Sequence, residues 1–271
     1  MYELSLLSII ALCMVSFIGV PHGSFDGAVA ALLGFQTKKQ FIFFVFWYTV
    51  ISLAVIIFWI YFPIIALLLF LLMSIIHFGL CDWSFLGVSR LKWLITLTHG
   101  MNIIFGVIFF HTEEVFKIFS FLSNEKFYFF QNYLYAPYLV YMALILTYLY
   151  YSFSITKLRW GLIEMIAIVI IISQLDPLTG FALYFCFVHT AKHIKAILIN
   201  INNHITNKNF VFKSTAIFTI ITWLGGCVAI IYLSNNFSFS ESFIKTIFIG
   251  LAALTLPHMT LIDFFYRKKF N

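Results

Sequence analysis

Charged side chains are scarce in this chain. Asp, Glu, Lys and Arg make up 10% of its 271 residues, against about 25% in soluble domains. Hydrophobic residues take 63%, so a water-soluble monomer is excluded: too few charges remain to cover the apolar surface. Disorder requires the opposite balance and is excluded as well. A polytopic membrane protein is what remains.

Other absences narrow the reading. There are four cysteines, Cys13, Cys81, Cys186 and Cys227, and no spacing among them resembles a zinc knuckle or a redox pair. They read as small buried hydrophobes. No fixed-period repeat, linker or low-complexity tract appears, which makes 1–271 one integral membrane catalytic domain. The start, Met1-Tyr2-Glu3, lacks a basic region, and its apolar run leads into Pro21-His22-Gly23 rather than a small-residue cleavage site, so it reads as a retained span.

Apolar runs are what the chain has in abundance. Spans of roughly 20 residues fall at about 4–35 (broken near Pro21), 41–61, 64–80, 93–110, 131–151, 161–175, 178–200, 214–233 and 243–265. The expected fold is therefore an all-α membrane bundle of about nine spans, with turns at Pro63 and Pro177. The stretch 113–130 mixes phenylalanines with Glu113, Glu114, Lys117 and Lys126 and reads as an interfacial amphipathic segment. Alternate loops carry 13 of the 16 basic residues, so the net charge of +6 sets orientation and gives no reason to expect nucleic acid. By the positive-inside rule the N-terminus lies outside and the C-terminus is cytoplasmic.

Ionisable groups inside hydrocarbon mark a functional site by default. Six of the eight histidines fall in spans: His22, His77, His99, His189, His193 and His258. At about 1.5 Å rise per residue, all six can share one layer in the cytoplasmic half. His111 and His204 fall in loops and read as ordinary surface residues. His189-Thr-Ala-Lys-His193 puts two imidazoles on one helical face, as a shared metal requires. Three of the four aspartates follow a histidine by four or five positions, as His22/Asp26, His77/Asp82 and His258/Asp263. Chance gives that on the order of one time in a thousand by template counting, and carboxylates beside ligating imidazoles orient them. Glu164 is a further candidate for that orienting role, with snorkelling as its plain alternative. The roles of His99 and His258 stay open between ligand, supporting group and cavity wall.

An all-histidine donor set suits iron, copper, nickel or zinc. Zinc proteolysis is excluded by the absence of HExxH, and a haem between helices needs only two of these histidines. A mononuclear non-haem metal open to a lipophilic substrate and O2 fits best. A proton-relaying carrier and a haem-binding electron-transfer protein remain as alternatives from other classes.

The residues also carry a resemblance. Gly19-Val-Pro-His22-Gly-Ser-Phe-Asp26, Ile76-His77-Phe-Gly-Leu-Cys-Asp82, Thr98-His99-Gly100, Tyr184-Phe-Cys-Phe-Val-His189-Thr-Ala-Lys-His193 and Gly250-Leu-Ala-Ala-Leu-Thr-Leu-Pro-His258-Met-Thr-Leu-Ile-Asp263 resemble the Brp/Blh family. Its members are membrane β-carotene 15,15′-dioxygenases of rhodopsin-bearing bacteria and archaea. The resemblance implies a ferrous (Fe2+) enzyme of the cell membrane that splits β-carotene with O2 into two all-trans-retinal molecules. It also implies membrane lipid as surroundings and a rhodopsin as recipient of the product. The proposed iron ligands, which are also the catalytic residues, fall on His22, His77, His189 and His193.

The charge distribution makes one prediction directly. A reporter fused after Arg267-Lys268-Lys269 is active when it is a cytoplasmic reporter and silent when it is a periplasmic one; the reverse result overturns the orientation.

Overall fold

The computed structural model describes the backbone of residues 4–35, 37–83, 86–124, 135–204 and 208–270, without the side chains of 22, 200–204, 208 and 263–270. Among the described residues all regular structure is helical. Twelve α-helices follow in chain order: α1 Leu6–Met14, α2 Asp26–Leu32, α3 Lys38–Tyr61, α4 Pro63–Asp82, α5 Lys92–Phe110, α6 Thr112–Ser123, α7 Tyr135–Ser154, α8 Thr156–Gln174, α9 Pro177–Leu183, α10 Thr190–His204, α11 Lys208–Leu233 and α12 Phe239–Phe270. Eight helices among these residues are long and apolar enough to cross a membrane. They account for every expected span but 161–175. That one is the helix α8, whose Lys157, Arg159 and Glu164 dilute its apolar run.

The break expected near Pro21 is present. Between α1 and α2 the chain runs through a π-helical turn, Val15–Gly19, and a 3-10 segment, Val20–Phe25. Departures from α geometry leave backbone groups to be satisfied by neighbours. The Trp223 indole N–H supplies one such bond, donating to the Ser16 carbonyl at 2.9 Å. Pro63 opens α4 and Pro177 opens α9, where the missing proline N–H costs nothing. Asp176 caps α9 through the Thr179 N–H, and reciprocal capping boxes start α3 (Thr37/Gln40) and α12 (Ser238/Glu241).

The chain forms two compact units. The first comprises Met1–Ala66 and Thr190–Asn271, the second Leu67–His189. In the first, α12 packs on α3, α2 and α11, and α11 packs along the broken segment and α2. Ser24 and Gly27 face α11: the Thr219 hydroxyl donates to Ser24, and a Cβ on Gly27 would press on Ser214. The outer faces of α3 and α11 are lipid-exposed, with Phe43, Phe46, Trp47, Ile220, Ile221 and Leu224 uncovered. On α3 only Phe44, Tyr48 and Trp59 are buried. The thiols follow the same division: Cys186 is buried, Cys13 and Cys81 are half-buried, and Cys227 is exposed on α11. The sequence reading of all four as buried is corrected there, because an uncharged thiol costs little against lipid.

In the second unit α5 is the hub, packed against α6, α7, α8 and α9. Its contact with α4 is set by two glycines. A Cβ on Gly79 would collide with the Thr96 carbonyl, and one on Gly100 with the Ile75 carbonyl. Each glycine thus admits the other helix's backbone, the small-residue packing by which helices associate in lipid. The interfacial segment expected at 113–130 is α6 in its described part, burying Val115, Phe116, Ile118, Phe119 and Leu122, with Glu113 and Glu114 in its first turn; residues 125–130 lie outside the described residues. His111, expected at the surface, is half-buried at the α5–α6 junction. Its Nε2–H donates to the Ile172 carbonyl at 2.9 Å.

Gly79→Ala and Gly100→Ala are each expected to destabilise by more than the about 1–3 kcal/mol usual for overpacking, because rigid backbone is struck. Gly225→Ala, with open space around its Cβ, should melt like the parent in detergent; equal melting of all three would disprove the close crossing.

Candidate active site

Asp82 is the centre of a buried cluster in the second unit. His189 Nδ1–H donates to its Oδ1 at 2.8 Å, and the Tyr184 hydroxyl donates to its Oδ2. All three residues are buried. An ionised carboxylate only accepts hydrogen bonds, and here each oxygen has a donor. A π-helical turn makes this possible. Tyr184 and His189 are five residues apart, and on an α-helix they would point about 140° from each other. They bound the π-helix Tyr184–His189, whose i→i+5 pattern brings residues five apart to the same side.

The His189 ring is held on its faces as well. Phe185 stacks on it, with centroids 5.4 Å apart and planes at 15°, and Phe78 meets it edge-on at 4.8 Å. His77 lies beside it, ring centroids 4.9 Å apart at 68°. His77 Nδ1 is 3.5 Å from Cys81 Sγ, one turn along α4.

The first unit holds a second cluster of the same kind. His258 Nδ1–H donates to Asp26 Oδ1 at 2.7 Å, and the Tyr48 hydroxyl donates to Asp26 Oδ2 at 2.9 Å. His193 lies beside His258, ring centroids 5.0 Å apart at 64°. Asp26 begins α2, Tyr48 lies mid-α3, His193 on α10 and His258 on α12 directly after Pro257.

These partners differ from the short-range pairs expected in sequence. Asp82 serves His189, 107 positions away, rather than His77. Asp26 serves His258, 232 positions away. In a bundle, packed neighbours come from distant helices, whereas a carboxylate four or five positions on must bend back along its own helix. The side chains of His22, His204 and Asp263 lie outside the described residues. Glu164 is half-buried on α8, near enough to act electrostatically on Tyr148 and Tyr184. Tyr48 and Tyr184 were not singled out in the sequence. Nothing local distinguishes them among 14 tyrosines.

His99 belongs to neither cluster. Fully buried, it stacks on Trp83 with centroids 3.7 Å apart and planes at 22°. Tyr148 spends its proton on the Leu158 carbonyl at 3.2 Å, so His99 Nε2–H donates to the Tyr148 oxygen at 3.0 Å. Gly161 of α8 leaves room for both side chains; a Cβ there would strike the Tyr148 hydroxyl and press on the His99 ring. This is a packing histidine tying α5, α7 and α8 together.

Among the described residues no three His, Cys, Asp or Glu side chains are grouped so as to hold a metal ion. The donors come in twos, and each pair fits a metal. Rings sharing one ion at about 2.0–2.1 Å per nitrogen stand with centroids roughly 4.5–5.2 Å apart, the range of both the 4.9 Å and the 5.0 Å pair. In each pair a carboxylate holds one Nδ1–H, which leaves the lone pair on Nε2, the arrangement found behind ligating histidines. The Nε2 atoms of His189, His193 and His258 are shut off from solvent.

Removal of a packing histidine has a different consequence from removal of a ligand. His99→Ala should cost about 2–5 kcal/mol of stability, as a core cavity does, with bound metal unchanged per folded protein. Metal analysis of the folded fraction checks this; a metal-free His99→Ala protein would contradict it.

The family model described as Beta-carotene 15,15′-dioxygenase matches residues 13–266. A protein of that name from an uncultured marine bacterium, 66A03, is 32% identical over 275 aligned positions, covering 97% of this chain and 96% of its own length. No solved structure matches. The family match takes in the residues of both histidine clusters, and the chain belongs to the beta-carotene 15,15′-dioxygenase family.

Proposed function

We propose that this chain splits β-carotene at its central double bond with O2, yielding two molecules of all-trans-retinal. Ferrous iron bound by His22, His77, His189 and His193 is the proposed cofactor. One hydrocarbon and one O2 balance two aldehydes: the C=C and O=O bonds are exchanged for two C=O bonds, and the alkene electrons reduce the oxygen. The iron, when bound, supplies the means of activating O2.

The observation that carries the reading is the Tyr184–Asp82–His189 array beside His77, buried within apolar helices. Asp82 keeps the proton on His189 Nδ1 and so leaves Nε2 as a donor. Phe78 and Phe185 fix the ring's plane. Neutral imidazoles leave the positive charge of the ion available to bind O2 or superoxide, and apolar surroundings keep bulk water away. A hydrocarbon substrate dissolved in the bilayer is best admitted sideways, between lipid-facing helices. The protein is proposed to sit in the cell membrane with its N-terminus outside and its C-terminus in the cytoplasm, and to release retinal where a rhodopsin can take it up.

Cells that make β-carotene should lose their colour and accumulate retinal when the chain is expressed with iron and oxygen. The purified protein should carry stoichiometric non-haem iron. His22→Ala, His77→Ala, His189→Ala and His193→Ala should each abolish cleavage and lower iron content while still inserting, and His204→Ala should keep both. Persistent colour with protein present in the membrane refutes the activity. A Soret band would favour haem electron transfer, and absence of any metal a carrier.

A further inference from the structure

We propose that His258 is a metal-binding residue, paired with His193 as His189 is paired with His77, and held in place by Asp26 and Tyr48. The inference rests on the reading that these histidines hold a metal, and it adds a donor to the set given by the family resemblance.

The argument is the repetition of one device in the two units. In each, an aspartate receives an imidazole Nδ1–H on Oδ1 and a tyrosine hydroxyl on Oδ2. In each, a second histidine ring lies alongside the first, at 4.9 Å and 68° in one unit and 5.0 Å and 64° in the other. No repeated sequence accounts for this. Tyr184 and His189 come from one π-helical turn, whereas Tyr48 and His258 come from α3 and α12. Different elements converge on the same arrangement, so its cause is chemical.

A packing role does not explain the array. Ionisable residues in hydrocarbon are expensive, and Asp26 is fully buried. Were His258 present only to fill space, an apolar side chain would do so without needing Asp26 or Tyr48. His99 shows a different arrangement in this protein: stacked on Trp83 and bonded through Nε2 to a tyrosine. In His258 it is Nδ1 that is engaged, by the Asp26 carboxylate, and Nε2 is buried. Neutral nitrogen donors suit a first-row divalent ion.

The test is metal binding by the full-length protein in lipid nanodiscs, stripped of metal and titrated with Co(II) against a chelator, with visible absorption recorded. His258→Ala should weaken Co(II) binding at least about 100-fold and change the Co(II) bands. Tyr48→Phe, which removes only a support, should weaken it about 10–100-fold. His99→Ala should leave affinity and spectrum as in the parent. Parental affinity and spectrum in folded His258→Ala overturn the inference while leaving the function intact, provided the parent binds metal and cleaves. Where His258→Ala fails to insert, Tyr48→Phe decides, and unchanged affinity there overturns it equally. A parent that cleaves β-carotene yet takes up neither Fe(II) nor Co(II) removes the ferrous reading, and His258 as a ligand with it.

Discussion

The structure depends on carboxylates that have no water to turn to. An ion in hydrocarbon persists only where its hydrogen-bonding capacity is met within the protein, and Asp26 and Asp82 meet theirs with an imidazole and a phenol each. Removing one partner would leave a buried carboxyl oxygen without its hydrogen bond, which is destabilising. This constraint acts on the backbone. Tyr184 and His189 reach one carboxylate only because α9 gives way to a π turn, and Asp26 stands at the helix start that follows a π and a 3-10 segment. π turns are frequent at functional sites, and both here adjoin histidine motifs: Val15–Gly19 leads into Pro21-His22, and Tyr184–His189 ends on His189.

Small residues provide the second condition. Lipid offers helices no hydrophobic reason to associate, so close packing and polar contacts must hold them. Gly79 and Gly100 supply the first kind next to the residues that supply the second: Gly79 is two positions from His77 and Gly100 follows His99. Large apolar side chains are placed outward instead. The aromatic-rich 41–61 span turns Phe43, Phe46, Trp47 and Phe58 to the lipid side and keeps Tyr48 for Asp26.

What was legible in the sequence was what lipid dictates locally. Apolar length gave the spans, Pro21, Pro63 and Pro177 gave the breaks, and ionisable residues within spans pointed to the buried polar clusters around Asp26 and Asp82. Partners were not legible, because a bundle pairs residues across helices: Asp82 with His189 and Asp26 with His258 are separated by 107 and 232 positions. Tyr48 and Tyr184 were invisible for a further reason. A tyrosine in an apolar run looks like any amphipathic aromatic until an acceptor is found for its hydroxyl, and the π turn that aims Tyr184 breaks the α period on which sequence reading relies. His111 was misjudged on the same ground, since the carbonyl it serves belongs to α8.

The place of the aspartates also bears on the chemistry. A carboxylate bound directly to an ion takes a coordination position and neutralises charge at the metal itself. One bond further out, on Nδ1, it leaves that position open while its charge still counts, because screening by salt does not operate in a dry interior. It also raises the basicity of the imidazole it holds. The proposed ferrous ion would have to be neutral enough in total to remain in lipid, and exposed enough locally to bind oxygen. In the proposed site, aspartates behind histidines would meet both requirements, and the tyrosines hold each aspartate in place by donating to its second oxygen.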